Sequence, residues 1–279
     1  MLFVDEMGIT RYMGNRVPAA NATRANWTVY GEVPQAPLVP RDKWPGLIAQ
    51  FDPDSPAHPH RPPVRDQNGV GQCNADATVA LHEYTRNAMG LQYVQLSGAD
   101  LYDRINGGGD NGSLLEDAIR EMMDAGVGTA ETCGLLWKRG YYKGPAPAAE
   151  RARYKVAEAY LCPTFDHLMS AVLCGFGIVS GIPWYDNYTP DKAGWLPSPR
   201  GNSGGHAVFG YKPTMRVSGD TTTYGIWHQN SWTTQFGVGG AVVFPESVYH
   251  SGAIGGWWAT RQVTDEGTPI PAPHFQLAI

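Results

Sequence analysis

The sequence predicts an α+β protein of two lobes, with helices in its first half and strands in its second. Apolar residues at helical spacing are confined to about residues 73–160, and strand-like runs bounded by turn residues fill the stretch beyond. Charged residues make up only 17%, while 34 Gly and 22 Pro favour turns over a sheet-rich body rather than a helical bundle. With 279 residues, 42% of them hydrophobic, the chain has material for a sizeable core shared by two lobes.

Residues 1–37 form an extended Pro-rich arm without sustained helical period. The body is expected over residues 38–265, with a helical lobe at about 70–160 and a sheet lobe at about 163–260. A tail, 266–279, closes the chain. The first helix begins at Cys73, carries Ala75, Val79, Ala80 and Tyr84 at helical spacing, and stops near Gly90. A second runs from about Ser113 to Ala125, with Leu114, Leu115, Ala118, Ile119 and Met122 on one face and a Ser113/Glu116 capping box. A third is expected at about 148–159, and Asp166 is placed to cap a short helix ending at Cys174. Strands are expected at 177–182, 206–211, 222–228 and 240–244.

Charge excludes some partners. The net charge is −5 and no Lys/Arg cluster stands out, which argues against nucleic acid. The longest uncharged stretch, Leu168 to Tyr185, is broken by Gly175, Gly177, Gly181 and Pro183, so no membrane association is expected. The first residues are acidic where a signal peptide needs basic ones, so the expected setting is cytoplasmic or virion-associated. No cysteine pair has Cys-x-x-Cys spacing, and no metal or cofactor is expected. Cys133, Cys162 and Cys174 read as small buried hydrophobes, and His58 and His60 as loop residues.

Three separated segments carry chemistry. The first, Val64-Arg65-Asp66-Gln67-Asn68-Gly69-Val70-Gly71-Gln72-Cys73, runs into a helix. A thiol there feels the positive end of the helix dipole, which favours the thiolate. Gln67 and the Cys73 N–H are the candidate donors to a developing oxyanion. The second is Gly204-Gly205-His206-Ala207-Val208-Phe209, a histidine opening an apolar strand behind two glycines. The third is Trp227-His228-Gln229-Asn230-Ser231-Trp232. An Asn accepting from one imidazole nitrogen turns the other toward the sulfur, and Trp232 is placed to shield that bond.

In order and spacing these segments resemble the active-site stretches of the papain and cathepsin family of cysteine peptidases. His206 and Asn230 follow Cys73 by 133 and 157 residues, close to that family's interval of about 130–150. The Gln67-to-Cys73 interval, Asn230-Ser231-Trp232 and Leu96-Ser97 also match, over roughly residues 40–250. The resemblance implies a papain-like two-lobed fold, a helical left lobe and a β-barrel-like right lobe with the cleft between. It implies Cys73 as nucleophile, His206 as base, Asn230 as orienter and Gln67 in the oxyanion hole, acting on a polypeptide substrate. Asn106-Gly107-Gly108 resembles the family's substrate-pairing edge, so Gly107 and Gly108, with Gly204, Gly205 and Trp232, are the expected substrate-binding residues.

The departures carry expectations of their own. Val70 and Ile105 stand where the family places a disulfide, implying a packed apolar contact. Asn74 and Asp76 replace an aromatic pair behind the thiol. The arm is too poor in helical pattern to resemble the family's inhibitory propeptide, so it is expected to dock on partner chains and leave the cleft open. The alternative function is a papain-fold structural component of a virus or phage particle. A different Cys-His acyl-transfer enzyme, such as an amidase, would have a much shorter Cys-to-His interval.

Overall fold

The computed structural model describes residues 2–5, 7–18, 27–52, 54–265 and 268–269. The chain opens with a hairpin, β1 (Leu2–Val4) and β2 (Thr10–Tyr12), and a short helix α1 (Trp44–Ile48). The helical half holds α2 (Cys73–Ala88), α3 (Gly98–Ile105), α4 (Leu115–Asp124), α5 (Ala130–Cys133) and α6 (Ala148–Arg151). Strand β3 (Val156–Leu161) and helix α7 (Phe165–Leu173) lead into β4 (Gly177–Tyr185), β5 (Ser203–Ser218), β6 (Thr221–Gln229) and β7 (Ala241–Pro245). Helix α8 (Glu246–Tyr249), β8 (Trp257–Asp265) and β9 (Thr268–Pro269) complete the chain. One antiparallel sheet runs in the order β3-β8-β4-β5-β6-β7, with β9 on β8.

Strand alternation splits the core in two, because successive side chains leave opposite faces of a sheet. Val179, Ala207, Phe209, Tyr211, Trp227 and Val243 pack with helices α2, α3 and α4. Their neighbours Ile178, Ile182, Val208, Ile226, Val242 and Phe244 pack on the far face with α1, α7 and α8. The sheet is therefore apolar on both sides, and α2 lies along β5, which sets Cys73 beside the strand that carries His206.

The expected helix at 148–159 is a correction: only Ala148–Arg151 is helical, and Val156–Leu161 is a strand on β8. Pairing with β8 overrides local propensity there. Helix α4 begins at Leu115 without a side-chain cap, because the Ser113 hydroxyl accepts from Asn74 Nδ2 at 3.0 Å instead of capping. The strands β1, β2 and β8 were not foreseen. Val70 and Ile105 are both buried in the helix-side cluster, and all four cysteines are buried and unpaired. Most of the tail expected at 266–279 lies outside the described residues.

The arm is built into the body. Phe3 and Met13 are buried in the far-face core, and Tyr30, fully buried, accepts its place through Tyr30 N–H to Leu161 O at 2.9 Å. Within the hairpin, Arg11 and Asp5 form a buried ion pair at 2.8 Å, and Asp5 Oδ1 accepts from the Met7 and Ile9 N–H groups. Arg11 also donates to Trp232 O at 3.2 Å, which ties the hairpin to the sheet lobe. Arg11→Ala would strand a buried carboxylate, a cost of about 3–5 kcal/mol if nothing moves. We therefore expect the first 18 residues to become protease-sensitive while the sheet still unfolds cooperatively; unchanged protection of the arm would contradict this anchoring.

Candidate active site

Cys73 is the first residue of α2 and is fully buried. The segment before it is held from two sides. Gln67 N–H donates to Ser231 O at 2.9 Å, and Gly71 N–H donates to Asp110 Oδ1 at 2.8 Å. The backbone N–H groups of Ala207, Gly14 and Asn74 surround the sulfur closely enough to favour its thiolate. Ala207 directly follows His206, so the thiol and the imidazole come from adjoining backbone.

The His206 ring is fixed by one acceptor. Asn230 Oδ1 lies 2.8 Å from His206 Nε2 and 2.8 Å from the backbone N–H of Ser231. A backbone N–H can only donate, so it settles which end of the Asn230 amide is oxygen. An amide oxygen can only accept, so Nε2 carries the ring hydrogen in the neutral imidazole. Nδ1 is left as the basic nitrogen, and it is buried without a hydrogen-bond partner. Trp232 stacks on the ring at 4.7 Å between centroids and Trp184 meets it edge-on at 5.2 Å, which excludes water from the His206–Asn230 bond.

Gln67 is equally constrained. Its Oε1 accepts from Ser231 Oγ at 2.7 Å and Trp232 Nε1 at 3.1 Å, so its Nε2 must face the cleft. There Nε2 donates to Val70 O at 2.7 Å and to Tyr12 O at 2.8 Å. The second of these acceptors belongs to the arm.

Residues Tyr12 to Arg16 run through the cleft, contrary to the expectation that the arm leaves it open. Ser113 N–H donates to Gly14 O and Arg16 N–H to Ser113 O, both at 2.8 Å, making a parallel bridge between Asn15 and Ser113. On the opposite wall, Asn15 N–H donates to Gly205 O at 3.0 Å. The Asn15 amide donates to Ile254 O at 2.7 Å and His206 O at 3.3 Å. The approach is backbone to backbone. A Cβ on Gly14 would sit 2.1 Å from Gly71 O, and one on Gly205 would sit 2.0 Å from Asn15 O. Helical period carries no trace of this path, because a two-strand hairpin and glycine-lined contacts leave no such signal in the sequence.

Burial sets the charge state. It pushes the Cys73 thiol up to about 11, against the lowering effect of the Ala207, Gly14 and Asn74 N–H groups. It pushes His206 down to about 4, partly offset by Asn230. With the arm in place both groups are neutral, the reverse of the thiolate expected from the helix dipole. Desolvation outweighs the dipole here because no water reaches the sulfur.

The structure thus brings Cys73, His206, Asn230, Gln67, Gly205 and Trp232 to one place. Gly204 pairs with Trp184 one residue away on β5. Gly107 and Gly108 lie in an exposed turn with open space beside them, and the edge that pairs with a chain in the cleft is Ser113. His228 donates from Nδ1 to Ile226 O at 2.9 Å and accepts from Tyr249, a satisfied core histidine. Among the described residues no cluster of three or more His, Cys, Asp or Glu could hold a metal ion.

No family model matches the sequence, and no curated protein matches it. Solved structures do. Xylellain, a cysteine protease from Xylella fastidiosa, aligns with a TM-score of 0.65 at 19% identity, over 91% of this chain and 97% of that one. A procathepsin B from Trypanosoma congolense aligns at 0.64 and 16% identity, over 92% and 86%. Procathepsin L 3 from the Tenebrio molitor larval midgut aligns at 0.60 and 16%, over 88% and 75%. Shared over nearly the whole length, this architecture gives the chain the two-lobed α+β fold of the papain-like cysteine proteases.

Proposed function

We propose that this protein is a cysteine peptidase that its own N-terminal segment holds latent. The observation that carries the reading is the His206 imidazole, pinned through Nε2 to Asn230 with its basic Nδ1 buried and without a partner. A protein using the fold only as a scaffold gains nothing from burying an unpartnered basic nitrogen.

In the released enzyme, the Cys73 proton passes to His206 Nδ1 and the sulfur attacks the carbonyl carbon of a peptide bond. Gln67 Nε2 and the Cys73 N–H donate to the oxygen as it gains charge. The tetrahedral centre collapses, the C–N bond breaks, and the His206 imidazolium protonates the departing amine. Water, deprotonated by His206, then cleaves the thioester to give a carboxylic acid and the free thiol. Asn230 holds the ring in plane throughout.

Latency follows from the arm's polarity. The arm group nearest the sulfur in its electrostatic effect is the Gly14 N–H, a donor with no electrophilic carbon, which favours the thiolate as the Ala207 and Asn74 N–H groups do. The carbonyl on Gln67 belongs to Tyr12, two residues upstream. The arm therefore fills the nucleophile and oxyanion positions with groups that cannot react together. Asn15 presents a carboxamide N–H to two carbonyl oxygens, Ile254 O and His206 O, a lock a carboxylate could not make.

Gly14→Ala places a methyl against Gly71 and should expel the arm while leaving every catalytic group intact. We expect the full-length wild-type chain to hydrolyse a fluorogenic peptide slowly and Gly14→Ala to do so at least tenfold faster; equal rates would contradict latency. Adding Cys73→Ala or His206→Ala to that chain should lower kcat by about a thousandfold or more, and Asn230→Ala by less. Wild-type turnover by the Cys73→Ala chain would refute the peptidase reading.

The pH dependence has a definite sign. Burial raises the thiol and lowers the imidazole, so letting water in must lower the first and raise the second. The pH at which Cys73 reaches half its maximal alkylation rate with iodoacetamide should be lower for Gly14→Ala than for wild type. An unchanged or higher midpoint would contradict the electrostatic account.

A further inference from the structure

Behind the reacting groups, between α2 and the end of β6, lies a cavity that leaves about 10 Å³ for the centre of a water molecule. Arg65, Asp76, Ala77, Ala80, Ala207 and Asn230 are among the residues lining it. The space exists because of the helix: Asp76, Ala77 and Ala80 follow Cys73 by three, four and seven residues and share its face toward the sheet. The two alanines are too short to fill it.

The polar atoms around this cavity are mismatched. Asp76 Oδ1 accepts from Gln72 Nε2 at 2.9 Å, but Oδ2 is buried without a partner. Arg65 uses Nη2 on Glu83 at 2.5 Å and on Leu96 O at 3.3 Å, and its Nε pairs in charge with Asp76 Oδ1 at 3.9 Å, leaving Nε and Nη1 buried without hydrogen bonds. Asn230 commits Oδ1 to His206 and Ser231, leaving Nδ2 buried without a partner. Arg65 and Asn230 both present donors, so neither can satisfy the other. One water resolves all three: it accepts from Asn230 Nδ2 and from an Arg65 N–H, and donates to Asp76 Oδ2. Three hydrogen bonds is the usual complement of a buried water, and the cavity has room for one.

We propose that Asp76 is a positioning residue for the reaction, acting on Asn230 through one bound water in this cavity. The proposal rests on the peptidase reading above. The water restrains the far end of the same carboxamide whose oxygen fixes the His206 ring, so Asn230 is held at both ends. Asp76 itself does not touch substrate. Without the relay the carboxamide can rock about its last torsion, and Nδ1 spends less time aligned with the sulfur.

Two measurements test this. A high-resolution crystal structure of the full-length chain should show an ordered water within hydrogen-bond distance of Asn230 Nδ2 and Asp76 Oδ2; a dry cavity overturns the proposal whether or not the protein is active. In the released Gly14→Ala chain, Asp76→Ala should lower kcat by about tenfold, the low end of losses seen when an outer hydrogen-bond partner is removed, with KM within about twofold. Combined with Asn230→Ala, it should cost almost nothing further, because the relay then has nothing to hold. Ala77→Val, which fills the cavity and keeps every charge, should give the same loss of kcat and covers the case in which Asp76→Ala fails to fold. Additive losses, or a folded Ala77→Val chain with full kcat, refute the relay alone. A Gly14→Ala chain that cleaves no peptide refutes the peptidase reading and the positioning role together.

Discussion

Asn230 Oδ1 accepts from two donors, the Ser231 N–H and the His206 Nε2–H, and the chemistry of the cleft depends on that arrangement. The backbone donor fixes the amide, the amide fixes the tautomer, and the tautomer leaves Nδ1 basic. Trp232 supports the chain of consequences twice, by stacking on the imidazole and by donating to Gln67 Oε1, which turns the Gln67 amide nitrogen into the cleft. His206 and Gln67, proposed above as base and oxyanion donor, are thus oriented by a single run of three residues, 230–232, at the end of β6. That run in turn is anchored to the segment before the nucleophile through Ser231 O and Gln67 N–H.

The arm exploits the same polarity. In the proposed reaction a substrate brings a carbonyl carbon to the sulfur with its oxygen on the Gln67 amide. The arm instead sets the Gly14 N–H where it favours the thiolate and gives Gln67 a carbonyl from further back, that of Tyr12. It adds to the desolvation that keeps thiol and imidazole neutral, whereas the proposed reaction needs them charged. The proposed latency therefore has two layers, steric occupation and suppression of the ion pair. Both end when the arm leaves. The Phe3 ring, stacked on Trp232 at 5.5 Å, and the buried Arg11–Asp5 pair hold the hairpin over the indole that organises the site.

The residues that meet at the candidate site were legible because their signals are local and rigidly spaced: a Cys at a helix start, a Gln six residues earlier, a Gly-Gly-His opening a strand, and Asn-Ser-Trp. The helix 73–88 and strands β4 to β7 followed from periodicity and turn residues. What failed had physical reasons. Val156–Leu161 is a strand because β8 needs a partner, and long-range pairing leaves no trace in a local window. Two Asn-Gly runs, Asn106-Gly107-Gly108 and Asn111-Gly112-Ser113, sit close together, and composition cannot say which one pairs with a chain in the cleft. The arm's destination was hidden for a deeper reason. It docks through main-chain hydrogen bonds and glycine contacts, and these are nearly independent of side-chain pattern.

The central claim, that the arm is an amide-first occupant of a working peptidase cleft, is tested most directly in trans. A synthetic peptide of residues 8–18 added to the released Gly14→Ala enzyme should inhibit competitively, and mass spectrometry should recover it intact after prolonged incubation. If the peptide fails to inhibit, or is cut between Tyr12 and Gly14 as a substrate would be, the arm does not hold the cleft in the way described.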